Sequence, residues 1–148
     1  MFSKVNDESV WFGPDQEKKS DWIYNLDNDD IQEIEKVTDK FLLSKIPLKN
    51  IKNEYFNLEN LKKKYLNKID NELKNGRGFA LMRGIPVHKW DREKIITAYM
   101  GVCSFFGNFR VQNKKGHLLG HIKDLGKDTK KDFNCLLYTS DAADEGLG

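Results

Sequence analysis

The chain has 148 residues, of which 39% are hydrophobic and 32% are charged, and its net charge is +2. This length fits one domain, because domains commonly hold about 100–200 residues. No apolar run approaches the ~18 residues that a membrane span needs, and the mixed charges show no basic patch for nucleic acid. Two cysteines give no disulfide framework, so the composition predicts a soluble, cytoplasmic protein that binds neither membranes nor nucleic acid.

Residues 1–25 place aromatic side chains among polar residues, with Trp11 and Trp22 as the largest. The pair Gly13-Pro14 marks a turn between them. This pattern predicts an N-terminal arm whose aromatic rings pack onto the rest of the chain. Exposed rings that bind a partner are the alternative.

Two amphipathic helices are predicted in the first half of the chain, from apolar residues at helical spacing. The first covers residues 28–44, with Asp27 as its N-cap. The second covers residues 58–75, with Asn57 as its N-cap and Gly76 as its C′ residue. Its predicted buried face consists of Leu58, Leu61, Tyr65, Ile69 and Leu73.

The second helix also carries a run of lysines. Such a run is typical of a solvated helix face, and an anion-binding patch is the alternative. These lysines are Lys62, Lys63, Lys64 and Lys68.

A buried strand and a third helix are predicted next. The strand covers residues 79–82, an apolar run between glycines. The helix covers residues 92–106, with Asp91 as its N-cap. Its predicted inner face consists of Ile95, Ile96, Tyr99, Val102, Cys103 and Phe106. A cysteine on that face predicts an inert core thiol.

The segment after the third helix is polar and rich in glycine, which is typical of a region where a site is built. Gln112 and Asn113 follow the strand-like residues 109–111 and carry amides that both donate and accept hydrogen bonds. Gly116 permits close approach of a ligand to the backbone. These two amides are therefore candidate substrate-binding residues, with ordinary loop hydrogen bonding as the alternative.

A histidine pair follows in the same segment, where Leu118, Leu119 and Ile122 predict a further strand. His117 and His121 would share one face of a helix, but along a strand they would lie ~13 Å apart. That separation is too large for one ion. No metal site is therefore predicted in this chain, and a small metalloprotein that uses both histidines is the alternative.

Two stretches resemble a known family when they are taken together. Residues 76–86 are GRGFALMRGIP, and residues 112–128 are QNKKGHLLGHIKDLGKD. With Trp22-Ile-Tyr-x-Leu26 ahead of them, they resemble the N-terminal third of the TauD/TfdA family, the taurine-dioxygenase-like Fe(II)/2-oxoglutarate oxygenases. The resemblance covers nearly all of residues 11–132.

This resemblance implies a double-stranded β-helix (jelly roll), a His-x-Asp/Glu…His iron triad and an arginine that binds 2-oxoglutarate. None of these parts occurs in the chain. The expectation is therefore an α+β fragment at residues 1–134, with a helical N-terminal region and the first strands of an incomplete jelly roll.

The fragment is expected to be inactive alone. Fe(II), 2-oxoglutarate and a small-molecule substrate would belong to the parent enzyme, and Gln112 and Asn113 match the family pattern ahead of the iron site. The alternative is a small non-enzymatic binding module that uses the lysine-rich helix and the aromatic arm.

The composition changes abruptly near Asn134. Residues 135–145, CLLYTSDAADE, contain no lysine, arginine or asparagine. Back-translated in one frame, they resemble the end sequence used in transposase-based library preparation. We therefore expect residues 135–148 to be a non-native tail, with a genuine Ala/Asp-rich C-terminus as the alternative.

Overall fold

The computed structural model describes Lys4, residues 6–113 and residues 116–120. The chain divides into two compact units, residues 1–108 and 109–148. The described helices and strands all lie in the first unit, and their mixture confirms the α+β prediction. In chain order they are α1 (Gly13–Gln16), β1 (Ile23–Asn25), α2 (Asn28–Leu43), two 3-10 turns (Leu48–Asn50 and Asn53–Tyr55), α3 (Glu59–Leu61), a π-helical segment (Lys62–Leu66), α4 (Asn67–Asn75), β2 (Leu81–Arg83) and α5 (Arg92–Cys103).

The sheet of the first unit consists of β1 and β2, which pair in parallel with Ile23 opposite Leu81. The ladder extends past β1 at both ends. Leu81 N donates to Trp22 O at 2.9 Å, and Leu26 N donates to Arg83 O at 2.8 Å. Strand β1 lies within the segment predicted to be an aromatic arm, where no strand was expected.

Strand β2 begins two residues later than the predicted strand over 79–82. Gly78 adopts a positive φ of 85°, which reorients the chain before the strand. The Phe79 ring is then used in aromatic contacts, and regular pairing begins only at Leu81. The predicted strand therefore exists with shifted bounds, but it is not buried as predicted, because Leu81 and Met82 are half-buried and Arg83 is exposed.

The aromatic arm packs against this region, as predicted. The Trp11 and Trp22 rings meet the Phe79 ring edge-on, at centroid distances of 5.0 and 5.4 Å. Trp11 Nε1 also donates to Arg77 O at 3.2 Å. The two indoles therefore hold the arm on the segment that leads into β2.

Helix α2 matches the predicted helix over 28–44 to within one residue, and its N-cap is confirmed. The Asp27 carboxylate accepts from the backbone N–H groups of Asp29 and Asp30, both at 3.0 Å. The Asp30 carboxylate accepts in return from Asp27 N at 2.9 Å. This reciprocal pair is a capping box, which satisfies backbone donors that a helix start leaves open.

The predicted cap of the second helix is wrong. Asn57 Nδ2 donates to the Glu59 carboxylate at 3.2 Å, and its side chain caps nothing. Instead, the Glu33 carboxylate of α2 accepts from Asn60 N at 3.0 Å and from Leu61 N at 2.8 Å. A neighbouring helix therefore supplies the cap, and its negative charge also suits the positive end of the helix dipole.

The π-helical segment changes which side chains the second helix buries. A π turn joins residues five apart, so Leu66 comes to lie one turn beyond Leu61. Leu66 is 1% exposed, whereas Leu73 of the predicted face is 38% exposed. The predicted face assumed an uninterrupted α-helical period. For this reason the prediction left out Leu66, which is buried, and included Leu73, which is exposed.

The C-terminus of this helix differs in detail from the prediction. Gly76 is the C-cap and has a negative φ, so it is not the left-handed C′ glycine. Gly78 has the positive φ, and its N–H donates to Glu72 O at 3.0 Å. The close of the helix therefore needs the second glycine of the Gly-Arg-Gly sequence.

Helix α5 is three residues shorter than predicted, and its predicted cap is confirmed because Asp91 accepts from Lys94 N at 2.8 Å. Its predicted inner face is wrong in part, since Tyr99 is 57% exposed. The residues that α5 buries are Thr97, Ala98, Met100, Gly101 and Val102.

The reason is Gly101, which faces the Phe56 ring so closely that a Cβ at this position would overlap it. The ring packs against bare backbone, and this contact orients α5. A prediction from hydrophobic side chains does not count a glycine as a buried position. The predicted inner face was therefore centred on the side of the helix that carries Tyr99.

The core of the first unit lies where α2, the 59–75 helix and α5 meet. The Phe41 ring of α2 lies 5.5 Å from the Phe56 ring, between centroids. Among the described residues, no helix combines the length and the apolar composition needed to cross a membrane. The buried apolar side chains are Leu26, Ile34, Phe41, Ile51, Phe56, Leu58, Leu61, Leu66, Ile69, Ala98, Met100 and Val102.

The Gly101 contact predicts a large cost for one added methyl group. Gly101→Ala should lower the free energy of unfolding by about 1–3 kcal/mol, because the Phe56 ring must move within a packed core. Urea unfolding of the full chain measures this change.

Gly13→Ala is the matched control, since a Cβ there meets nothing within 4 Å. Adding Phe56→Leu to Gly101→Ala should recover part of the loss, because the two sites are in contact. Equal free energies of unfolding for Gly101→Ala and the unsubstituted chain would contradict the close packing of Phe56 on Gly101.

Candidate functional site

The predicted substrate-binding residues Gln112 and Asn113 lie in the second unit, in a hydrogen-bonded turn. Asn113 O accepts from Gly116 N at 3.0 Å, and Gln112 N donates to His117 O at 2.7 Å. Gly116 has a positive φ of 80°, which closes the turn. The Gln112 side chain is exposed, and its Nε2 donates to Arg110 O at 3.0 Å.

The Asn113 side chain binds His117 at two points. Its Oδ1 accepts from His117 N at 3.2 Å, and its Nδ2 lies 3.0 Å from His117 Nδ1. The turn therefore carries amide and imidazole groups suited to hydrogen-bonding a polar ligand.

These contacts agree with the loop-hydrogen-bonding alternative, and a substrate role for Gln112 and Asn113 stays a prediction. The strand predicted here is absent from the described part. Leu118 and Leu119 lie in a bend, and residues 109–111 form no strand. His121, Ile122 and the tail at 135–148 lie outside the described residues.

Metal binding has no support in the described part of the chain. No group of three histidine, cysteine or acidic side chains within it could hold an ion. Cys103 is half-buried on α5, and burial raises the pKa of its thiol. A raised pKa disfavours the reactive thiolate, in agreement with the prediction of an inert thiol.

The lysine-rich helix is not uniformly solvated. Lys64 Nζ bonds the carboxylates of both Asp27 and Asp30, the latter at 2.7 Å. Asp30 is 3% exposed, so this ion pair reaches into the interior. The hydrogen bond from Lys64 lowers the pKa of Asp27 to about 2. Lys64 therefore joins the second helix to the capping box of α2 and is not a free anion-binding group.

An arginine holds the glycine-rich segment that carries part of the family resemblance. Arg77 donates through both terminal nitrogens to the Asp21 carboxylate, each at 2.8 Å. Its Nε donates to Glu72 at 2.8 Å. The hydrogen bond from Arg77 lowers the pKa of Asp21 to about 2. The guanidinium thus ties the arm to α4, which is a structural role.

A concave site that the sequence analysis did not find opens beside the Phe56–Gly101 contact. We call it the Phe56 cleft, and its volume is about 360 Å³. No sequence signal marks it, because a 3-10 turn, a loop, the π-helical segment and α5 each contribute a few ordinary residues. Its lining residues are Asn53, Glu54, Phe56, Asn57, Leu58, Lys62, Leu66, Gly101 and Phe105.

Comparison with known proteins gives one distant similarity of note. No family model matches the chain. Taurine hydroxylase-like protein SAT17 of Stachybotrys chartarum is 26% identical over 132 residues, which is 88% of this chain and 34% of that protein. The chain therefore spans about a third of the length of this curated relative.

This similarity supports a distant relationship with taurine hydroxylase-like proteins. At that level it agrees with the family resemblance of residues 11–132. It assigns no role to any residue of the turn or of the Phe56 cleft.

The Lys64 ion pair predicts an acid-sensitive contribution to stability. Because the folded-state pKa of Asp27 is about 2 and its ordinary value is 3.8, the carboxylate stabilises the fold above pH 3.8. This contribution is lost as the pH falls through about 2. In Lys64→Met, NMR titration should show the Asp27 pKa moving up toward 3.8.

Lys63→Met is the control, since Lys63 is an exposed neighbour on the same segment. It should leave the Asp27 titration unchanged. An Asp27 pKa that stays low in Lys64→Met would show that the helix start alone holds the carboxylate charged.

Proposed function

We propose that residues 1–134 are the N-terminal part of an Fe(II)/2-oxoglutarate-dependent dioxygenase of the TauD/TfdA type. The reaction would be hydroxylation of a small organic substrate in the cytoplasm. The observation that carries the proposal is the similarity to a taurine hydroxylase-like protein over 132 residues. The ordered motifs at residues 76–86 and 112–128 are the stretches that resemble the family most specifically.

The iron and 2-oxoglutarate sites would lie in the remainder of the parent protein. The described residues do not fit an iron site, because they contain no group of three suitable ligands. We therefore derive no chemical step through iron. In the proposal, the missing ligands follow residue 134 in the parent, and residues 135–148 are non-native. The parallel pairing of β1 with β2 does not match the antiparallel strands expected of a jelly roll, so we place the jelly roll after residue 134 as well.

The described residues would supply support and substrate contacts. Arg77 holds the arm and α4 on either side of the segment that leads into β2. In the turn that Asn113 and His117 hold together, the exposed Gln112 amide and the exposed His117 ring would contact a polar substrate. Because hydrogen bonds already order this turn, little conformational freedom would be lost on binding.

A non-enzymatic binding module is the second candidate. It is favoured by the exposure of Phe12, which is 75% exposed although Trp11 beside it packs on Phe79. The lysine-rich face gives it less support, since Lys64 is held in ion pairs.

The proposal is tested with the product of the complete natural gene. Purified with Fe(II) and 2-oxoglutarate, that protein should form succinate in a reaction that needs both. The 148-residue chain, assayed in parallel, should form none.

Two results would count against this account. If the complete product consumes no 2-oxoglutarate, the dioxygenase proposal fails and the binding module becomes the better candidate. If the 148-residue chain forms succinate, the placement of the iron ligands after residue 134 is wrong.

A further inference from the structure

We propose that the Phe56 cleft binds a small zwitterion, an α-amino acid with an apolar side chain. The cleft combines one lysine, one glutamate, two asparagines and an apolar wall in about 360 Å³. Each of these features selects a different part of such a ligand. The proposal does not depend on the dioxygenase assignment and does not use Gln112 or Asn113.

The charges of the cleft are the first argument. Lys62 and Glu54 both line it. In the part of the chain that the structure describes, ion pairs hold Lys64, Lys74, Arg77 and Lys94, but none includes Lys62 or Glu54. The cleft thus offers one positive and one negative side chain that are not paired with each other.

Two opposite charges in one cleft favour a ligand that carries both. A simple anion would be attracted by Lys62 but repelled by Glu54. A simple cation would be attracted by Glu54 but repelled by Lys62. A carboxylate near Lys62 and an ammonium near Glu54 satisfy both groups through charge-assisted hydrogen bonds. The amides of Asn53 and Asn57 can hydrogen-bond either end of the ligand.

The apolar wall is the second argument, because it selects the ligand's side chain. Phe56, Leu58 and Leu66 are 3%, 4% and 1% exposed, so their positions are fixed by the core. The Phe105 ring lies under the Lys62 ammonium, with the nitrogen 5.4 Å from the ring centroid. Of these apolar residues, Phe105 is partly exposed, so an aromatic or branched apolar side chain of the ligand would pack against the Phe105 ring.

The size of the cleft limits the ligand to a small molecule. Ligand pockets commonly range over about 300–1,000 Å³, and this one lies at the lower end. A single amino acid fits these dimensions, and L-phenylalanine is the probe because its ring can pack against Phe105.

The test is a titration of the full chain with L-phenylalanine, 3-phenylpropionate and 2-phenylethylamine. The second lacks the amine, and the third lacks the carboxylate. NMR shifts should map L-phenylalanine to the Phe56 cleft. Each singly charged analogue should bind at least about tenfold more weakly, because one charge-assisted hydrogen bond is lost.

Variants assign each charge to its side chain. Lys62→Met should remove the preference for L-phenylalanine over 2-phenylethylamine, and Glu54→Gln should remove the preference over 3-phenylpropionate. Lys63→Met is the matched control, since Lys63 is exposed on the same segment and does not line the cleft. It should leave all three affinities unchanged.

Three results would overturn the proposal. The first is the absence of shifts at the cleft with L-phenylalanine up to about 10 mM, a concentration that detects even millimolar affinity. The second is equal binding of the three probes. The third is retention of both preferences in Lys62→Met and Glu54→Gln.

Discussion

The arrangement of the first unit depends on the carboxylates at the start of α2. Asp27 and Asp30 cap their own helix, and Glu33 caps the next one by accepting from two of its backbone N–H groups. Lys64 returns from that next helix to the same two aspartates. The backbone N–H donors that two helix starts leave open are therefore satisfied by acidic side chains from the first two turns of α2 and its N-cap.

Fixing the 59–75 helix in this way positions the rest of the unit. Tyr65 reaches β1 and donates to Asn25 O at 2.9 Å. Leu66 is carried into the core by the π-helical segment, next to Phe56 and Gly101. The 59–75 helix therefore contacts both the small sheet, through Tyr65, and the Phe56 cleft, through Leu66.

Local signals predicted local structure well. Asp27 and Asp91 were identifiable as caps because a cap lies beside the helix that it serves. Glu33 was not, because its partners Asn60 and Leu61 lie 27 and 28 residues away. Gly101 was missed for a related reason, since its importance depends on a ring that another segment supplies.

The sites show the same contrast. Gln112 and Asn113 could be chosen from the sequence because an amide pair before a glycine suggests a ligand-binding turn. The structure places them in a hydrogen-bonded turn with His117, and their role in binding a substrate stays a prediction. The residues of the Phe56 cleft come from separate segments, so no single stretch of the sequence predicts it. Fold class and family resemblance follow from patterns within segments, whereas the cleft arises only from their packing.

The central claim is that residues 1–134 lead into a dioxygenase. Sequencing the source DNA from upstream of the Gly116 codon through codon 134 tests it most directly. The account predicts that the reading frame continues into a His-x-Asp/Glu segment and a distal histidine, in place of codons 135–148. Genuine codons for Cys135–Gly148 followed by a stop codon would contradict it.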